Sequence, residues 1–315
     1  MSIAFVFPGQ GSQAVGMGKA LADNFASARN VFAEVDEALG ETLTAIMWDG
    51  PADRLTLTQN AQPALMAVSL AAMRVLEAEA GLDLKRDAAF VAGHSLGEYS
   101  ALAAAGSLTI ADTARLLRIR GKAMQAAVPI GVGAMAALIG LEFDAACAVA
   151  AEAAQGEVAQ AANDNGAGQV VVSGNKAAVE RAIEIAKAKG AKRAMLLPVS
   201  APFHCALMQP AADAMAQALA KVTVKPPVVP LVANVLARAV TDPAEIVKSL
   251  IEQVTGTVRW RECVAYMAAN GVTSFYEVGA GKVLSGLVKR IADGASSSAI
   301  GTPDDVAAFK ATRAT

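Results

Sequence analysis

The sequence predicts an α/β protein. The expected form is a large α/β-hydrolase-like domain, with a parallel sheet and a nucleophile elbow, plus an inserted small ferredoxin-like (βαββαβ) subdomain. Three observations lead there. Residues Val91 to Tyr99 read as a buried strand ending in G-x-S-x-G and running straight into a helix of small residues, which is the pattern of such an elbow. From Gly133 the pattern changes to short strands and helices in the order β-α-β-β-α-β. At 315 residues, 54% hydrophobic and 18% charged, the chain can bury a sizeable core. With aromatics at only 4%, that core must be mostly Ala, Val, Leu, Ile and Met.

Hydrophobic periodicity and Gly/Pro punctuation define the elements in order. Ile3 to Phe7 is a short apolar strand that breaks at the Gly-rich loop Pro8-Gly9-Gln10-Gly11-Ser12. Helical patterns fill most of residues 17–80, with a break at Gly50-Pro51. Ala88 to Ala92 is the elbow strand, the small-residue helix runs through Ala105, and another helix spans Ile110 to Ala126. The inserted subdomain, residues 131–199, has strands at Ala134–Leu141, Val158–Ala162, Gln169–Ser173 and Arg193–Val199. Its helices are Asp144–Ala154 and Lys176–Lys189. Residues 200–315 then rejoin residues 1–130. They carry helices at Gln209–Lys221, Pro243–Gln253 and Trp260–Asn270, strands at Val228–Asn234 and Ser274–Val278, a Gly279-Ala280-Gly281 turn and a helix from Val283. Gly294 to Ser298 reads as a flexible link to a short tail.

Composition excludes several classes. A net charge of -2 argues against nucleic acid as a partner. No basic segment followed by an apolar run opens the chain, so no secretory signal is expected. Residues 123–141 lack charges, but Pro129, Gly131, Gly133 and Gly140 interrupt them, which argues against a membrane span. Cys147, Cys205 and Cys263 are odd in number and lack metal-ligand spacing. They fit a reducing cytoplasm and no bound metal.

The elbow carries the chemistry. Gly93 and Gly97 let the turn close, Ser95 would project its hydroxyl above the sheet, and unpaired N–H groups at the helix start can hold an oxyanion. This proposes acyl transfer through a serine ester, set against an idle serine in a strand-helix turn. A serine needs a base, and the chain has two histidines. His94 is next to Ser95 and on an extended strand would point to the opposite face. His204, in Ser200-Ala201-Pro202-Phe203-His204, is the better candidate, against a structural histidine. Cys205 as a nucleophile has poorer local geometry. On the helix from Thr109 to Ala126, Arg115, Arg118 and Lys122 share one side, while Arg120 falls on the apolar face between Leu116 and Met124. A guanidinium directed at a core needs an anion. The choices are an internal salt bridge or a substrate carboxylate held by its fork.

With Gln10, Ser95, Arg120 and His204 in place, the chain resembles the malonyl-CoA:acyl carrier protein transacylases. The matching segments are Phe5 to Gln13, Thr58 to Ala64, Gly93 to Tyr99, Arg120-Gly121-Lys122, Gly131 to Met135, Ser200 to His204 and Glu277 to Lys282. The resemblance implies a malonyl ester on Ser95, His204 as base, and the Gln253 backbone carbonyl orienting its ring. It implies Arg120 on the malonyl carboxylate and an oxyanion hole from the Gln10 and Leu96 N–H groups. Gln62 and Asn163 are expected to line the pocket. Phe203 is expected either to exclude a branched acid or to be ordinary core. The implied partners are an acyl carrier protein and a coenzyme A thioester, with no cofactor, in fatty-acid or polyketide synthesis. Ala280 replaces a frequent Pro of the family, and Thr255-Gly256 a frequent Asn-Pro. The rival reading is a serine esterase or lipase on the same elbow, with an acid such as Asp164 completing the triad.

Overall fold

A computed structural model describes residues 2–313. β1 (Ser2–Phe7) opens the chain. Five helices follow: α1 (Lys19–Asn24), α2 (Ala26–Leu39), α3 (Leu43–Asp49), α4 (Ala52–Thr56) and α5 (Thr58–Ala80). Then come α6 (Leu84–Asp87), β2 (Phe90–Gly93), α7 (Gly97–Ala104) and α8 (Ile110–Ala127). The middle of the chain is β3 (Gly133–Ile139), α9 (Phe143–Ala154), β4 (Ala159–Asp164), β5 (Gln169–Asn175), α10 (Lys176–Ala188) and β6 (Arg193–Leu196). The last part is α11 (Gln209–Leu219), β7 (Leu231–Ala233), β8 (Arg238–Val240), α12 (Pro243–Thr255), α13 (Trp260–Ala269), β9 (Val272–Val278), α14 (Val283–Ile291), β10 (Ser296–Ile300) and α15 (Pro303–Arg313).

The strands form two sheets, and the protein is mixed α/β. The larger sheet has the order β10-β9-β1-β2-β7-β8. Its first five strands are parallel, and β8 pairs antiparallel with β7 at the edge. β1 shows why both faces must be covered. Phe5 and Phe7 enter a core with α2, α5 and α8, while Ala4 and Val6 face Trp260, Val264 and Leu287 from α13 and α14. Such two-sided burial is the rule for parallel strands. The smaller sheet, β4-β5-β3-β6, is antiparallel throughout. Its own core of small residues packs against α9 and α10. The connection between α12 and α13 pairs with β4: the Val258 N–H donates to the Ala162 carbonyl at 2.8 Å, and the Asp164 N–H to the Val258 carbonyl at 2.9 Å.

Two expectations change. Gly294 to Ser298 is not a flexible link. Ser296–Ile300 form the parallel edge strand β10, and α15 buries Val306 and Phe309 behind it. Serines hide this strand from any hydrophobic pattern, because backbone pairing with β9, not side-chain burial, holds it. The predicted strands at 193–199 and 228–234 shrink to Arg193–Leu196 and Leu231–Ala233. Pro198 in one and Pro230 in the other remove ladder donors. The short elements α6 and β8 carried no pattern of their own in the sequence. Among the described residues, no helix is long and apolar enough to cross a membrane.

Phe309 makes edge contacts with Phe5 and Tyr276 at 6.3 and 4.9 Å between ring centroids. Phe309→Ala is therefore expected to destabilise the whole domain by about 3–5 kcal/mol. A urea-unfolding midpoint unchanged from the parent would return this segment to the status of a tail.

Candidate active site

β1 and β2 run side by side, with Phe7 opposite Gly93, so the Pro8–Ser12 loop and the elbow leave the sheet together. The turn after β2 is very tight. A Cβ on Gly93 would lie 1.9 Å from the Gly97 carbonyl carbon, and one on Gly97 would lie 2.2 Å from the Phe7 oxygen. Ser95 itself is held at φ 53°, a conformation that L residues seldom adopt. Asn234, at the end of β7, secures it. Its Oδ1 accepts the Ser95 N–H at 2.8 Å, and its Nδ2 donates to the Gly93 carbonyl at 2.8 Å.

His204, also at positive φ (58°), brings its Nε2 to 2.8 Å from the Ser95 Oγ. Its Nδ1 lies 2.8 Å from the Gln253 carbonyl oxygen. A carbonyl only accepts, so Nδ1 carries the proton and Nε2 offers its lone pair to the serine hydroxyl. Burial, and the Arg120 charge beside it, push the His204 pKa down to about 3. The ring is a neutral base, oriented by a backbone carbonyl rather than by an acid. Asp164, the triad acid of the esterase reading, is instead paired with Arg261 at 2.8 Å.

His94 is turned away from this pair. Its Nε2 meets Asn165 Oδ1 at 2.9 Å, its ring packs near Trp260, and burial lowers its pKa.

Arg120 is 1% exposed and reaches the nucleophile. Gly121 allows this. α8 crosses α5 so closely there that a Cβ would lie 2.5 Å from the Gln59 Cα. Nη1 of Arg120 donates to Gln62 Oε1 at 2.8 Å. Its Nη2 donates to Gln253 Oε1 at 2.8 Å and to Ser95 Oγ at 3.1 Å. Its Nε has no hydrogen-bond partner among the described residues. No carboxylate forms an ion pair with Arg120 among the described residues. The internal salt bridge belongs to Arg118, which the helix pattern grouped with the other basic side. It is buried and binds Glu41 and Asn60.

Gln253 turns out to be a hub. Besides its carbonyl on His204 and its Oε1 on Arg120, its Nε2 donates to the Ser95 carbonyl at 3.0 Å and to Glu98 Oε2 at 2.9 Å. Glu98, fully buried in α7, also accepts the Asn234 N–H at 3.0 Å. Burial raises its pKa to about 7, while Oε1 stays unpartnered. Asn234, Glu98 and the Gln253 side chain were missed from sequence. Glu98 lay inside the elbow motif, but Asn234 sits 139 residues from Ser95 and carried no local signal.

These groups face a cavity of about 330 Å³ between the two sheets. Gln10, Leu96, Gln62, Asn163 and Phe203 line it with Ser95, His204 and Arg120. Gln253 stands behind them. Neither the Gln10 nor the Leu96 backbone N–H is used in a hydrogen bond among the described residues. Chemically, the arrangement offers a serine nucleophile, a neutral base, free N–H donors and a buried cation, all beside one cavity.

Residues 4–307 match the family described as acyl transferase domain. The chain belongs to that family. Within it, the malonyl CoA-acyl carrier protein transacylase of Escherichia coli K12 is 50% identical over 97% of each chain. The solved acyl-carrier-protein S-malonyltransferase of Bartonella henselae is 56% identical over the full length of both chains, with a TM-score of 0.97. A malonyl-transacylase solved in complex with its type II PKS acyl-carrier protein is 42% identical, with a TM-score of 0.95 over 99% of this chain and 100% of that one.

The depressed His204 pKa has a kinetic consequence. A histidine of ordinary pKa, near 6.5, loses most of its base form by about pH 5.5. Here the base form persists through that range. The rate at which a fluorophosphonate probe labels Ser95 is expected to change less than about twofold between about pH 7.5 and 5.5. An inflection near pH 7 that disappears in Glu98→Gln would belong to Glu98. A tenfold fall with a midpoint near 6.5 in both proteins would show an ordinary, solvated base.

Proposed function

We propose that the protein transfers a malonyl group from malonyl-CoA to the phosphopantetheine thiol of an acyl carrier protein, through an ester on Ser95. In the first half-reaction His204 Nε2 takes the Ser95 proton and Oγ attacks the thioester carbonyl. The C–S bond breaks, and the proton passes to the departing coenzyme A sulfur. In the second half the carrier thiol gives its proton to His204 and attacks the ester, and Ser95 recovers its proton. The Gln10 and Leu96 N–H groups hold the oxyanion in both halves. Arg120 holds the malonyl carboxylate, and Gln62, Asn163 and Phe203 shape the space around it. The chemistry requires no metal or redox cofactor. The product feeds chain building from malonyl units, as in fatty-acid or polyketide synthesis.

One observation carries the choice of acyl group. Arg120 is a buried cation with no carboxylate on it, one guanidinium nitrogen from the nucleophile. The buried Glu98 carboxyl, with a pKa of about 7, acts on this charge only from a distance, so a substrate that brings a carboxylate into contact with Arg120 is favoured over one that does not.

We further read residues 1–130 and 200–315 as an α/β-hydrolase-like domain and 131–199 as an inserted ferredoxin-like subdomain. The elbow on a parallel sheet supports the first reading, and the antiparallel order β4-β5-β3-β6 with two helices supports the second. Three free cysteines support a cytoplasmic location.

Intact mass after mixing with malonyl-CoA tests the transfer. The parent is expected to gain one malonyl group and to lose it on addition of a holo carrier protein. Ser95→Ala should gain none, and His204→Ala should acylate roughly 10²–10⁴-fold more slowly. A full malonyl adduct on Ser95→Ala would remove Ser95 from its role.

Arg120 gives a separate prediction. Arg120→Ala should lose malonyl transfer and shift its preference toward acetyl-CoA, which brings no carboxylate. Arg120→Lys should recover only part, since an ammonium lacks the planar fork. Competition between the two thioesters measures this. An unchanged preference would make Arg120 purely structural.

A further inference from the structure

A chain of buried hydrogen bonds leads from the Arg120 guanidinium to the loop that carries the Gln10 N–H. Arg120 Nη1 donates to Gln62 Oε1 at 2.8 Å. Gln62 Nε2 donates to Thr58 Oγ1 at 2.9 Å, and Thr58 Oγ1 donates to Gln10 Oε1 at 2.8 Å. Its direction is fixed from one end. A guanidinium can only donate, so it must face the oxygen of Gln62. The Gln62 amide nitrogen is thereby turned toward Thr58. A hydroxyl has one proton, and with Gln62 donating to it, Thr58 sends that proton to Gln10. Thr58 and Gln62 are 0% and 1% exposed, so water does not compete for either. Bonds in such a series strengthen one another in a low dielectric.

The Thr58 hydroxyl has no other duty. It is the first residue of α5, yet no side-chain capping bond is made at that helix start. Among the described residues the Gln10 side chain makes no other hydrogen bond, and the loop Pro8–Ser12 is otherwise fastened by the Gly11 N–H on Gln13 Oε1, at 2.7 Å.

We propose that Thr58 is a positioning residue that couples the carboxylate anchor to the oxyanion hole, by holding Gln10 through a hydroxyl whose orientation Arg120 sets by way of Gln62. The inference rests on the transferase reading above. A carboxylate on Arg120 and the aim of the Gln10 N–H are then linked. An acyl group that engages Arg120 correctly meets a well-formed oxyanion hole. Thr58 touches no reacting atom. It acts on rate, through Gln10, and not on substrate binding.

Single-turnover acylation of Ser95 by malonyl-CoA, followed by rapid quench and intact mass over a range of concentrations, separates the maximal rate from half-saturation. Thr58→Val keeps the shape and removes the hydroxyl, while Thr58→Ser keeps the hydroxyl and removes the methyl. Losing an oxyanion donor outright costs roughly 10²–10³ in rate; misaiming one is expected to cost about tenfold. Thr58→Val should therefore slow the maximal rate about tenfold with half-saturation within about twofold, and Thr58→Ser should stay within about twofold of the parent on both. A packing role predicts the reverse order. Thr58→Val equal to or faster than Thr58→Ser overturns the proposal, as does a Thr58→Val loss confined to half-saturation. If Thr58→Val does not fold, Thr58→Ala against Thr58→Ser differs in the same hydroxyl, and equal rates there overturn it as well. A parent that takes no malonyl at all defeats the transferase reading itself, an outcome distinct from a parent that acylates normally beside an unaffected Thr58→Val.

Discussion

A buried cation without a carboxylate organises this molecule. Arg120 sits in the core beside the nucleophile, and its surroundings answer its donors with neutral oxygens: Gln62, Gln253 and Ser95. Neutral acceptors lower the cost of burial without cancelling the charge. The site therefore keeps a standing attraction for an anion. Burial first, and the Arg120 charge after it, oppose protonation of the His204 ring. One guanidinium thus serves both substrate choice and the state of the base.

The second constraint is strain at the elbow. Ser95 and His204 both occupy the left-handed region without being glycine. Such conformations persist only where the surroundings over-determine them. Asn234 fastens the backbone on either side of His94, up to the Ser95 N–H, and Gln253 fixes the Ser95 carbonyl, the Arg120 fork and the His204 ring together. Glu98 collects what remains, accepting from both Asn234 and Gln253. The reacting groups are held by a polar network inside an apolar core, where each satisfied bond is strong and each lost one costly.

The cavity exists because two layers meet. The elbow after β2 supplies the nucleophile, α8 the cation and the loop after β6 the base, while the small sheet supplies Met135, Asn163 and Val171 as one wall. Val258, in the connection between α12 and α13, pairs by its backbone with the small sheet's β4.

The sequence by itself determined whatever depends on neighbours along the chain. The elbow was legible because Gly93 and Gly97 answer a local steric demand, and Arg120 because a charge interrupts an apolar helical stripe. The β-α-β-β-α-β order was legible because periodicity switches element by element. With only two histidines, Ser95 left His204 as the better-placed base. The tertiary structure alone decided what depends on distant partners. Asn234 and Gln253 meet Ser95 across 139 and 158 residues of separation, and no spacing encodes that. Arg118 looked like one more basic residue until Glu41 from the α2–α3 connection and Asn60 from α5 met it in the folded chain. The serines of β10 looked like a linker because their stability comes from a ladder with β9, which a side-chain pattern does not record. Local sterics and periodicity are written in consecutive residues; hydrogen-bond partners and sheet neighbours are fixed only when the chain has closed on itself.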